Sequence, residues 1–134
     1  MLTKSHITTI LPVVQVDRAR RFYEEKLGLL PEGEHADGSF WLRGGDGATV
    51  ALIPRPDRKK AEYTALSFEV ADIDAEIKDL ERRGVKFEDY DLPDLKTVNH
   101  VFSTADERCA WLTDTEGNIL CLHQPLPHLS LIHI

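Results

Sequence analysis

The chain states one short plan twice, and this repeat restricts it to folds built from two like halves. Val16 and Ile73, Asp17 and Asp74, and Tyr23 and Leu80 each stand 57 positions apart. In the first copy, the apolar and β-branched run from Ile7 to Val16 predicts a strand that meets Asp17, a residue able to cap a following helix. Ala19, Phe22, Tyr23 and Leu27 then share one helical face, and Gly28 can take the left-handed conformation that ends the helix. In the second copy, Ala65, Leu66, Phe68 and Val70 predict the strand, Asp72 or Asp74 the cap, and Ile73, Ile77 and Leu80 the buried face, with Gly84 closing it.

Three short apolar segments follow each helix. They are Leu29-Leu30, Ser39 to Leu42 and Thr49 to Ile53 in the first half, with Asp37-Gly38 and Gly44 to Gly47 as turns. In the second half they are Val85 to Phe87, Ala110 to Thr113 and Ile119 to Leu122, with Glu116-Gly117-Asn118 as a hairpin turn. The fold class predicted is α+β: two pseudo-repeated βαβββ modules whose curved mixed sheets enclose a concave pocket, because neither sheet can cover its own apolar face. The expected organisation is one domain over 1–134, with module one at 6–54, a polar linker at 55–61, module two at 62–124 and a tail at 125–134. Asp89 to Arg108 is read as a long loop containing Pro93 and an extra strand around His100 to Phe102.

Composition excludes several partners. With 23 acidic and 16 basic residues, the net charge of −7 would repel a phosphate backbone, so nucleic acid is not expected. No stretch reaches the ~20 apolar residues of a membrane span, and Met1 to His6 lack the apolar core of a signal peptide. Cys109 and Cys121 have no close pair spacing, which gives neither a zinc knuckle nor a disulfide framework and fits a reducing cytoplasm.

Three signatures in order carry a family resemblance: Val13 to Tyr23 followed by Leu27-Gly28-Leu29, Ser67 to Asp74 running through Leu80 and Gly84, and Trp111 to Leu120. Over residues 6 to 124 the chain resembles the vicinal oxygen chelate superfamily of glyoxalases, bleomycin resistance proteins and extradiol dioxygenases. In metal-bearing members, the first and last strands of each half supply ligands to a divalent ion. The matched positions here are Thr8, Ala51, Ala65 and Cys121, none of them His, Glu or Gln, so the resemblance implies a member without that site and without a metal cofactor. His6 and His123, two residues away on the same strand faces, are the alternative metal ligands.

Ser103-Thr104, His100 and Asp106 hold the ingredients of a nucleophilic triad, but no nucleophile elbow or oxyanion glycines accompany them. Glu88, Asp89, Asp91 and Asp94 read as a solvated acidic segment. Aromatic residues are more suggestive: Phe40 and Trp41 in the first half, Phe102 and Trp111 in the second. Neighbours on a strand face opposite ways, so only one of Phe40 and Trp41 can serve a site. The expected pocket residues are Trp41, Trp111, Phe102, Thr8, Ala51, Ala65 and Cys121. The function expected from the resemblance is metal-free binding and sequestration of an aromatic or cationic small molecule by a homodimer. The alternative is a glyoxalase-like or dioxygenase-like enzyme with a non-standard divalent metal site.

Overall fold

A computed structural model describes residues 1–57 and 62–127. The end of the expected linker and the apolar tail from His128 onward, including His133, lie outside the described residues. The chain divides into two compact units, Met1–Lys60 with Asp114–Glu116, and Ala61–Thr113 with Gly117–Ile134. Each half follows the predicted plan, and the fold is mixed α+β.

The first unit runs β1 (Thr8–Val13), α1 (Val16–Arg21) with a wider helical turn over Phe22–Lys26, β2 (Leu30–Glu34), β3 (Phe40–Arg43) and β4 (Thr49–Pro54). Its sheet has the order β1-β4-β3-β2; β1 and β4 are parallel and the other pairs antiparallel. Strand alternation sorts the side chains into two faces. Leu11, Val13, Phe40, Leu42, Val50 and Leu52 are buried on the face covered by α1, with Ala19 and Tyr23 of the helix at 0% exposure. Arg20 of α1 lies 3.8 Å over the Phe40 ring, which fixes Phe40 on that side. Trp41 therefore points the other way, with Thr8, Ile10, Thr49 and Ala51.

The second unit runs β5 (Thr64–Glu69), α2 (Ile73–Arg82), β6 (Phe87–Glu88), β7 (Asp91–Leu92), β8 (Leu95–Lys96), β9 (Phe102–Ser103), β10 (Glu107–Thr113) and β11 (Ile119–Pro125). The main sheet is ordered β5-β11-β10-β6, with β9 also pairing β10, while β7 and β8 form a separate hairpin. Ile73, Ile77 and Leu80 of α2 are buried, as are Leu112, Leu120 and Leu122 of the sheet. Arg108 bonds Asp74 of the helix at 2.9 and 3.1 Å, and Gln124 accepts the Ile73 N–H at 2.9 Å. Those contacts put Arg108 and Gln124, cross-strand partners, on the helix side of this sheet.

The extra strand in the long loop is present but sits at Phe102–Ser103, and the loop also holds the β7–β8 hairpin. Gly28 and Gly84 close the helices at φ 78° and 88°, the region glycine occupies without steric cost. Asp72 caps α2 as expected, its Oδ1 accepting from Ala75 N at 3.2 Å. Asp17 does not cap α1. The helix begins at Val16, so Asp17 is inside the first turn, and the N-cap Gln15 makes no side-chain cap. Glu116 supplies the missing acceptor: its Oε1 takes the N–H groups of Val14 and Gln15 at 2.9 and 2.8 Å.

Candidate functional site

In the first unit, Trp41 stands on β3 between two very small neighbours. Gly33 of β2 is its cross-strand partner on one side and Ala51 of β4 on the other. A Cβ built on Gly33 would meet nothing within 4 Å, so the space over Gly33 itself is open. The β2–β3 turn fixes the ring. His35 stacks on it with centroids 4.3 Å apart and planes 9° from parallel, and Ser39 Oγ accepts from Nε1 at 3.1 Å. Ser39 is itself held by Asp37, whose Oδ1 accepts from its backbone N–H at 2.9 Å and from its hydroxyl. Those two donors hold the Asp37 carboxyl below its ordinary range. An oriented, half-buried indole beside an anionic turn can bind planar or cationic groups.

The remaining predicted residues of this unit are less direct. Ala51 is fully buried, and Ile10, not Thr8, lies beside it; Thr8 pairs with Thr49. His6 lies before β1, with Nε2 2.6 Å from the Thr49 hydroxyl. On the opposite, α1 side, a hollow of about 410 Å³ is lined by Gln15, Asp17, Arg20, Glu34 and Phe40 among others. The residues lining it include none of the expected pocket residues, and Arg20 is already engaged with Glu24 at 2.7 Å.

In the second unit, Trp111 and Cys121 are cross-strand partners, and Ser67 of β5 is beside Cys121. Ala65 precedes Ser67 by two residues, at the bulge where β5 slips against β11. Trp111, half-buried like Trp41, has two rings beside it, Tyr90 edge-on at 5.6 Å and Phe102 tilted at 6.4 Å, while its Nε1 donates to Thr64 Oγ1 at 3.3 Å. His123 is beside Cys109 across the strands, with Nδ1 2.5 Å from Ser67 Oγ and Nε2 3.9 Å from Glu69.

The donors of a hard-cation site are not assembled at Thr8, Ala51, Ala65 and Cys121: two of the four have no lone pair, and His6 and His123 each engage a hydroxyl. Among the described residues, no group of three or more His, Cys, Asp and Glu side chains is arranged to hold a metal ion. The triad ingredients serve a turn instead. His100 engages Asp89 at 3.0 Å and Glu81 at 3.4 Å, while Thr104 Oγ1 accepts the N–H groups of Asp106 and Glu107.

His35, Gly33, Ser67 and Tyr90 join these clusters without having been expected. The pairing register reveals Gly33 and Ser67, and a sequence does not print register. Tyr90 and His35 sit outside the strands, where no periodicity marks them.

Comparison with known proteins agrees with this architecture. A sequence model described as the Glyoxalase/Bleomycin resistance protein/Dioxygenase superfamily matches residues 5–122. No curated protein matches significantly. Among solved structures, TnmS3, an antibiotic binding protein from Streptomyces sp. CB03234, superposes with a TM-score of 0.73 at 24% identity, covering 94% of this chain and 99% of that one. A superfamily member from Sphaerobacter thermophilus DSM 20745 gives 0.73 at 23% identity, over 92% and 99% of the two chains. A glyoxalase/bleomycin resistance protein from Streptomyces sp. CB03234 gives 0.65 at 25% identity, over 90% and 100%. Among the described residues no helix is long and apolar enough to cross a membrane. With the family match spanning nearly the whole of both βαβββ halves, the chain belongs to the glyoxalase/bleomycin resistance protein/dioxygenase superfamily.

Proposed function

We propose that this protein binds and sequesters a planar aromatic or cationic small molecule, without a metal cofactor and with Trp41 as its main stacking surface. The observation that carries the reading is the placement of Trp41: an indole pinned by His35 and Ser39, flanked in the sheet only by Gly33 and Ala51. The anionic Asp37 in the adjoining turn favours a cationic ligand. TnmS3, similar in fold, is described as an antibiotic binding protein, and sequestration by a fold-mate is compatible with this site.

The test is a fluorescence screen with planar cationic and neutral aromatic compounds. At least one quenches tryptophan emission, and Trp41→Ala weakens it by about tenfold, the scale of ~1.4 kcal/mol of stacking. Trp111→Ala weakens it less, because that ring packs against Tyr90 and Phe102. Equal losses from both variants, or quenching that survives Trp41→Ala at full affinity, would reject the assignment.

The metal-free reading rests on the side chains at Thr8, Ala51, Ala65 and Cys121. Elemental analysis of protein purified without chelator is expected to find no stoichiometric Zn, Fe, Mn or Ni; one such ion per chain defeats it. A homodimer in the cytoplasm completes the proposal. It is supported by β1, an edge strand of its sheet, which carries the 57% exposed Ile10 just after the 79% exposed Ile7. Sedimentation equilibrium at micromolar concentrations is expected to give about twice the 15.2 kDa chain mass, and a monomer throughout rejects pairing.

A further inference from the structure

Beside α2 in the second unit lies a hollow of about 460 Å³, whose polar lining is Lys96, Asn99, Ser103 and the paired Arg108 and Asp74. Arg108 directs one N–H from each terminal nitrogen at Asp74, which leaves its other guanidinium N–H groups for a further acceptor. Among the described residues, the Lys96 amine, the Asn99 amide and the Ser103 hydroxyl enter no side-chain hydrogen bond or ion pair. One hollow therefore gathers several donors without an acceptor.

Exposed donors are ordinarily solvated, so the rigidity of the backbone behind them decides whether they form a site. Here it is fixed. Val98 and Val101 exchange backbone hydrogen bonds at 2.8 and 3.0 Å around Asn99 and His100, whose φ values are 52° and 72°. A tight turn with both central residues at positive φ favours Asn followed by Gly. His100 stands where that glycine would be, at a steric cost, and its ring accounts for the turn's persistence. It reaches Asp89 at 3.0 Å and Glu81 of α2 at 3.4 Å, and it lies beside the Phe87 ring. The turn is thus fastened to α2 and to the segment after β6, and it holds Asn99 at the hollow.

The charges select a ligand. Lys96 and Arg108 against Asp74 leave one net positive charge, which balances one carboxylate but not a phosphate monoester with its roughly two negative charges. A second hollow along α2, of about 520 Å³, shares Asp74 and Asn99 but carries Glu81, so an anion is drawn to the Lys96 side of Asn99. Val98, 66% exposed, and the half-buried Phe102 add an apolar wall that a ligand can cover.

We propose that this hollow binds a small organic acid. Its carboxylate accepts from Lys96, Asn99 and Ser103, and its apolar body lies on Val98 and Phe102. Ligand charge and location both differ from those at Trp41, so the two sites stand or fall separately.

The test is an amide-resolved NMR titration of the full chain with cyclohexanecarboxylate, which has no aromatic plane for Trp41, against its neutral carboxamide. The carboxylate is expected to shift the amides of Asn99, Val101 and Ser103 saturably, and the carboxamide to bind about tenfold more weakly, the scale of one charge-assisted hydrogen bond. Lys96→Gln and Asn99→Gly each lower carboxylate affinity by about fivefold or more. Asn99→Gly does so with the melting temperature unchanged or raised, because glycine accepts the turn's backbone. Trp41→Ala leaves carboxylate affinity as it was. Those amides unmoved by the carboxylate, equal binding of the carboxamide, full affinity in Lys96→Gln, or affinity lost with Trp41→Ala overturns the site.

Discussion

Replacing Glu116 with alanine is expected to cost about 3 kcal/mol and lower the melting temperature by roughly 10 °C, a large effect for a residue in a turn. Its side chain is completely shielded and accepts from five donors. Val14 and Gln15 N–H groups bond Oε1, Arg18 reaches both oxygens at 2.8 and 3.2 Å, and the Thr115 hydroxyl bonds Oε2 at 2.7 Å. Without the carboxylate, the start of α1 loses the acceptor that its own N-cap does not provide. Arg18 is 42% exposed and recovers water, so the unpaired backbone groups carry most of the cost.

The same residue makes the effect pH-dependent. Burial alone would raise the Glu116 carboxyl, but Arg18, the Gln15 and Val14 N–H groups and Thr115 outweigh it and hold the group at about 2. A folded value below the ordinary 4.5 means that its contribution is complete above about pH 4.5 and is lost as pH falls toward 2. Urea unfolding at pH 7 and pH 3 is the check: the gap between wild type and Glu116→Ala narrows at pH 3. A gap that is the same at both values removes the carboxylate from the account.

Much of the fold was legible because its signals are local. The helical faces of Ala19 and Tyr23, and of Ile73, Ile77 and Leu80, follow from spacing, and Gly28 and Gly84 mark helix ends by their own backbone needs. The alternation that opposes Phe40 to Trp41 was readable for the same reason. The capping of α1 was not. Asp17 is a plausible cap in sequence, yet the acceptor comes from Glu116, about 100 residues later, and its hairpin motif signals only a turn. At the candidate site, strand placement marked Trp41 and Trp111 alike, while the small neighbours of Trp41, Gly33 and Ala51, depend on pairing register. Tyr90, the ring edge-on to Trp111, lies in an irregular segment that no periodicity marks.

Leu52→Ala is expected to destabilise the fold by about 3–4 kcal/mol while leaving ligand affinity per folded molecule unchanged. Leu52 is fully buried in β4, opposite Phe40 on β3 and Leu11 on β1, on the side covered by α1. Its loss leaves a cavity in a layer already enclosed by the sheet and helix, which relaxation fills only partly. Its neighbour Ala51 points to the Trp41 side, so the two faces of one strand carry separate duties. Trp41→Ala should behave in the opposite sense, weakening ligand binding more than it lowers stability, since the indole is only half-buried. Denaturation and fluorescence titration of the two variants test this division together. If Leu52→Ala weakens binding as much as Trp41→Ala does, or if Trp41→Ala is the more destabilising of the two with binding intact, then Trp41 is core packing and the proposed stacking surface is wrong.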